Sequence, residues 1–229
     1  MIISHTHKFI FIKSWKTAGT SIEAALSAHC SGDDIVTPLG DYGFNRDEKG
    51  EWVHKPMNAG DFHQHDDALT IKSQIPAEVW GNYFKFSIAR NPWDRMISLF
   101  YWENRRTPPP LAKKRFYHHL GVPFDELRDA RKIFSQFVRA GEWETNDRFY
   151  VVDNQLCADF VIRYENLADG LSEVCKTVDI PITGLPQLKS GMREKGRHYS
   201  EYYDEETKNI VAERHNNDIR LLGYQFEGA

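Results

Sequence analysis

Phe9-Ile10-Phe11-Ile12-Lys13-Ser14-Trp15-Lys16-Thr17-Ala18-Gly19-Thr20-Ser21-Ile22-Glu23 is an apolar run that feeds a Lys-Thr-Ala-Gly-Thr-Ser turn. The consecutive β-branched and aromatic residues predict a strand buried on both faces of a parallel sheet, and Gly19 supplies the backbone freedom of a tight turn. A helix is expected to begin at Thr20 or Ser21. Thr20 and Glu23 have capping-box spacing, and Ile22, Ala25 and Leu26 share one helical face. The turn would direct backbone N–H groups at one place, and a helix N-terminus attracts anions. Lys16 and the hydroxyls of Thr17, Thr20 and Ser21 would add charge and donors there. The same residues also suit an ordinary strand-to-helix turn, with Thr20 as a cap and Lys16 as a solvated charge. The phosphate loop Gly-x-x-x-x-Gly-Lys-Ser/Thr needs its lysine after the second glycine, whereas Lys16 precedes Gly19, which disfavours an NTP-hydrolysing loop.

Tyr83-Phe84-Lys85-Phe86-Ser87-Ile88-Ala89 is again strand-like and runs into Arg90-Asn91-Pro92-Trp93-Asp94-Arg95-Met96-Ile97-Ser98. Asn91 suits an N-cap, Pro92 the first helical position, and Trp93, Ile97, Phe100 and Tyr101 repeat at helical spacing. Arg90 then lies at the carboxyl end of a strand, the edge where open α/β sheets bind ligands. Ser98 falls about two turns into the helix. A structural ion pair for Arg90 and a tolerated helix position for Ser98 are the bland alternatives.

Together the two segments resemble the sulfotransferases that use 3′-phosphoadenosine 5′-phosphosulfate (PAPS), in particular the carbohydrate branch and its bacterial-like cytosolic members. The resemblance continues through Phe160 to Leu167, Arg197 to Tyr203 and the closing Leu222-Gly223-Tyr224-Gln225-Phe226. It implies an α/β fold of three layers, with a central, mostly parallel sheet flanked by helices as in P-loop kinases. It also implies that Lys16, Thr17, Ala18, Gly19, Thr20 and Ser21 bind the 5′-phosphosulfate, and that Arg90 and Ser98 bind the 3′-phosphate. Arg197, beside the basic stretch Lys189 to Gly196, would be a further cofactor contact. The implied reaction is in-line sulfuryl transfer to a hydroxyl, leaving 3′-phosphoadenosine 5′-phosphate (PAP), with Lys16 stabilising the leaving oxygen and no metal required.

An acceptor hydroxyl must lose its proton, and histidine suits that task near neutral pH. His63-Gln64-His65-Asp66-Asp67-Ala68 precedes the second strand, where the family often carries histidine, so His65 is the first candidate for general base and His63 the reserve. An inert polar loop is the next reading. A metal site comes last, because the position after Asp67 is Ala68 and no second ligand cluster stands out.

Composition sets limits. A chain of 229 residues, 41% hydrophobic, can bury one substantial core, and one domain over residues 1–229 is expected. The formal charge of −4 argues against nucleic acid as the main partner. Cys30, Cys157 and Cys175 are widely spaced and form no disulfide framework. The opening residues lack a signal-peptide pattern and no run is long enough to span a bilayer, which points to the cytoplasm. Pro108-Pro109-Pro110 breaks the helix that starts at Pro92. Ala130, Ile133, Phe134, Phe137 and Val138 trace an amphipathic helix, and Asp204 caps a last helix that runs to a stop at Gly223. Trp52, Trp102 and Trp143 are either packing or faces for a sugar ring. The acceptor would be a small molecule or carbohydrate, and the oligomeric state is not encoded in any visible pattern. Two other functions fit less of the chain: a nucleotide-dependent small-molecule kinase, and a non-catalytic module that binds nucleotides or anionic glycans.

Overall fold

The computed structural model describes residues 1–39, 54–104, 126–181 and 197–228. They fall into two compact units, Met1–Arg90 with Asn146–Ser190, and Asn91–Thr145 with Gly191–Ala229.

The first unit is built on a five-stranded sheet. Its strands are β1 (Ile2–Ser4), β2 (Phe9–Phe11), β3 (Ile35–Val36), β4 (Phe84–Ala89) and β7 (Phe160–Arg163), in the order β3-β1-β2-β4-β7. β5 (Val151–Val152) and β6 (Gln155–Leu156) make a separate hairpin. The α/β class and the central sheet flanked by helices are as expected. The sheet itself is mixed: β2, β4 and β7 run parallel, while β1 pairs antiparallel with both β2 and β3. Phe11 pairs with Phe86 and Ala89 with Arg163, so the chain leaves β2, β4 and β7 at one edge of the sheet.

β2 is buried at every position, as its unbroken apolar run predicts. One face of the sheet presents Phe9, Phe11, Phe86, Ile88 and Ile162 to helices α1 (Gly19–Ser27) and α6 (Leu167–Thr177), which answer with Ile22, Leu26, Leu171 and Val174. The Phe11 and Phe86 rings stack at 5.0 Å between neighbouring strands. The short helices α2 (Ala68–Gln74) and α3 (Ala77–Asn82) lie between β3 and β4 in sequence.

The second unit is helical and aromatic. α4 (Pro92–Glu103) is capped by Asn91, whose side chain accepts from the N–H groups of Trp93 and Asp94, with Pro92 in the first turn as its fixed φ favours. α5 (Glu126–Ala140) buries Ala130, Phe134 and Val138 against Phe100 and Tyr202. The expected last helix is two: Asp204 caps α7 (Glu205–Arg214), the chain breaks at His215, and α8 (Asn216–Leu222) stops at Gly223 with φ +66. His215 is buried, with Nδ1 at hydrogen-bond distance, 2.7 Å, from the Asp218 carboxylate three residues on, which places the break in the core. Trp143 stacks on His215 at 5.6 Å and is buried, so it is packing and not a sugar platform. Trp102 is half-buried, and Trp52 and Pro108 to Pro110 lie outside the described residues.

Phe86 sits at the centre of the sheet between Phe9 and Phe11, fully buried. Phe86→Ala is expected to cost about 3–5 kcal/mol in urea unfolding, the range for a large cavity in a packed core.

Candidate active site

The exit of β2 is decided by a charge with nowhere to go. Lys13 follows four buried residues and is itself 1% exposed, and its ammonium meets Glu23 of α1 at 2.5 Å. Glu23 also accepts from the amino group of Met1 at 2.5 Å and from Thr37 at 2.7 Å. Burial raises the Glu23 carboxyl, but the two neighbouring cations outweigh it and hold the pKa below the usual value. Burial pulls the Met1 amino group down to about 5, with Lys13 adding to that effect and Glu23 opposing it. Glu23 is in the core, and the expected capping box with Thr20 does not form, because the helix starts at Gly19 and Thr20 lies inside its first turn.

α1 starts at Gly19, with Ala18 as N-cap and no side chain closing it. The Ser21 and Ile22 N–H groups turn back to the Ala18 carbonyl. The geometry of a helix start leaves those of Gly19 and Thr20 without an intrahelical acceptor. The left-handed positions are Lys16 (φ +63) and Ala18 (φ +62), not Gly19. Gly19 is needed for space instead: a Cβ there would lie 2.8 Å from Lys13 Cγ. Thr17 is fully buried, and its hydroxyl is engaged inside the loop with Ser14, which in turn donates to the Ile88 carbonyl of β4. Thr20 is buried at 7% exposure and Ser21 is half-buried.

Arg90, leaving β4, donates from Nη1 to the Lys16 carbonyl at 3.1 Å and lies over the Tyr164 ring at 4.2 Å. The two candidate anion-binding segments are thus joined directly. His65 joins them from a third direction. Its Nδ1 is 2.9 Å from the Lys13 carbonyl, which can only accept, so Nδ1 carries the hydrogen and Nε2 is the basic nitrogen. The imidazole stacks on Trp15 at 4.1 Å and meets Phe149 edge-on at 6.4 Å. Burial, with the Lys13 ammonium adding to it, lowers the His65 pKa to about 3, so the ring is neutral at pH 7. His63, by contrast, is 82% exposed beside Asp66. Ser98 is half-buried on α4 and Arg197 half-buried before the short turn Tyr199–Tyr202, both in the second unit. Lys189 to Gly196 lies outside the described residues. Among the described residues no three His, Cys, Asp or Glu side chains gather as metal ligands.

A family model described as "Sulfotransferase family" matches residues 1–225. The chain belongs to the sulfotransferase family. An uncharacterized protein of Archaeoglobus fulgidus is 25% identical to this sulfotransferase over 114 residues, half of this chain and 82% of the relative. The crystal structure of a sulfotransferase from Alicyclobacillus acidocaldarius is also similar, at 15% identity, with 96% of each chain covered and a TM-score of 0.35. No helix among the described residues is long and apolar enough to cross a membrane.

Residue-by-residue reading of the sequence overlooked Asn146, Trp15, Phe149 and Tyr164 as parts of the site, and Lys13 as its support. Lys13 alone carried a signal, since a lysine ending a buried strand demands a partner. The low His65 pKa has a consequence for stability. Unfolded histidine titrates near 6.5, so between pH 6.5 and about 3 the unfolded chain binds the proton and the folded one does not, and stability falls as pH falls. In urea unfolding, His65→Gln is expected to lose less stability than the wild type between pH 7 and pH 4.5; equal losses would contradict an imidazole held neutral in the folded chain.

Proposed function

We propose that this sulfotransferase moves the sulfuryl group of PAPS to an acceptor hydroxyl, with a carbohydrate as the acceptor class. One observation carries the reading: Arg90 donates to the carbonyl of Lys16, the residue that opens a left-handed loop at a helix start with no side-chain cap. These residues fit a donor with phosphates at both ends of its ribose. When bound, PAPS would supply the activated sulfuryl group. Lys16 places positive charge where charge builds on the leaving oxygen, and the N–H groups of the helix start are already oriented, so they need little reorganisation. The planar guanidinium of Arg90 suits a bidentate grip on the terminal 3′-phosphate. Nε2 of His65 takes the acceptor proton. An imidazole with a pKa of about 3 is a weak base, but negative charge brought to the neighbouring loop opposes the Lys13 field and raises it. The carbohydrate preference follows the branch that the Lys-Thr-Ala-Gly-Thr-Ser and Arg-Asn-Pro segments resemble. Free thiols at Cys30, Cys157 and Cys175 accord with a reducing compartment such as the cytoplasm.

Calorimetric titration with PAP, beside ADP and beside ATP with magnesium, tests the donor before any acceptor is known. Tight, metal-independent binding that requires the 3′-phosphate is expected, and Arg90→Ala should abolish the discrimination between PAP and ADP. Preference for ATP with magnesium would favour the kinase reading. Lys16→Ala should reduce sulfotransfer by about 100-fold or more, the scale of a lost transition-state donor. A variant that keeps most of its turnover would remove Lys16 from the leaving-group role.

A further inference from the structure

Asn146 is buried at 1% exposure and holds the two peptide groups that flank one residue. Its Oδ1 accepts from the Trp15 N–H at 3.3 Å, and its Nδ2 donates to the Trp15 carbonyl at 2.7 Å. The same residue opens the short turn Asp147–Phe149, where the Phe149 N–H bonds back to the Asn146 carbonyl at 3.0 Å. One four-residue segment therefore clamps the backbone of Trp15 and brings Phe149 to the edge of the His65 ring. The indole of Trp15 covers the imidazole nearly in parallel, at an interplanar angle of 17°. Its buried N–H meets no acceptor among the described residues, so the ring owes its place to the stack and to its clamped peptide.

We propose that Asn146 and Trp15 are positioning residues for proton transfer: Asn146 locks the backbone on both sides of Trp15, and the Trp15 ring holds the imidazole of His65 against the Lys13 carbonyl, whose acceptance from Nδ1 leaves Nε2 as the proton acceptor. Without the indole, the imidazole can rotate away from the Lys13 carbonyl and water reaches its face. Neither residue touches the reacting atoms in this scheme. The groups that act on the ring's charge are the Lys13 ammonium and the Met1 amino group, which oppose protonation, and the Glu23 carboxylate and Lys13 carbonyl, which favour it. Removing the indole relieves burial, the largest of these influences, so His65 becomes easier to protonate.

The catalytic half of this inference rests on the proposed role of His65, while the structural half does not, and the experiment separates them. Histidine Cε1–H resonances are followed by NMR from pH 3 to pH 8 in the ligand-free protein, with His65→Ala assigning the signal. Trp15→Ala and Asn146→Ala should each move the His65 midpoint up by about one pH unit or more, as expected for a hydrated imidazole. Trp15→Phe, which retains an aromatic face, should stay near the wild type. Circular dichroism checks folding; if Asn146→Ala does not fold, the contrast between Trp15→Ala and Trp15→Phe decides. An unchanged midpoint in folded Trp15→Ala overturns the proposal even if PAP binds tightly. A raised midpoint in a protein that does not bind PAP supports the clamp while removing the donor assignment. In turnover assays, Trp15→Ala should lower kcat by about tenfold or more, the scale of misplaced general-base catalysis, with PAP affinity little changed. Equal losses in kcat and PAP affinity would show a damaged loop and overturn the positioning role.

Discussion

Lys13 emerges from a strand buried on both faces, and its ammonium has no water to turn to. An unpaired charge in such a place costs several kcal/mol, so the first turns of α1 must supply a carboxylate, and Glu23 does so at 2.5 Å. Much of the site follows from that pair. Glu23, five residues past the N-cap, is turned inward, and α1 begins after Ala18, which has no side chain able to cap it. Because the Lys13 chain runs beneath the first helical residue, that residue must lack a Cβ, which is what Gly19 provides. The carbonyl of Lys13 then fixes the tautomer of His65 while its ammonium disfavours a second proton on the ring.

The fold was largely legible because its strongest signals are local. The unbroken apolar run of β2, the Asn91-Pro92 cap of α4 and the 3.6-residue stripe on α5 each need only a short window of sequence. The failures share a cause as well. The capping box at Thr20 and Glu23 obeyed local spacing, but the helix starts earlier, at Gly19, and Glu23 answers a partner ten residues upstream that spacing cannot see. The antiparallel edge at β1 and β3 depends on which strands meet, and the break at His215 is accompanied by a buried hydrogen bond to Asp218. Gly19 was correctly singled out for the wrong reason: space against Lys13 decides it, while Lys16 and Ala18 bear the left-handed backbone.

The candidate site divides along the same line. Lys16 and Arg90 announce themselves as charged residues at strand exits and His65 as a titratable residue just ahead of α2, and the three segments meet. Asn146 lies more than a hundred residues from Trp15, in a polar stretch with no periodicity, and no short window could attach it to the loop. Tyr164 stood within a recognisable segment, yet its role under the guanidinium of Arg90 exists only once β4 and β7 pair.

Two left-handed residues other than glycine, each costing about 1–2 kcal/mol, would not persist in a loop that was free to relax. Here the loop is tied on every side: Ser14 to the Ile88 carbonyl and to Thr17, Trp15 to Asn146, and Lys16 to Arg90. Hydrogen bonds of this kind contribute about 1 kcal/mol apiece, so together they match the strain they oppose. The result is a loop whose shape is set before any ligand arrives. That condition gives fixed donors their advantage over water in stabilising developing charge, because the cost of orienting them has been met during folding. A neutral, half-buried imidazole lies beside them. Burial first, and the Lys13 ammonium second, keep His65 unprotonated in the resting protein, and negative charge at the loop would oppose the second of these.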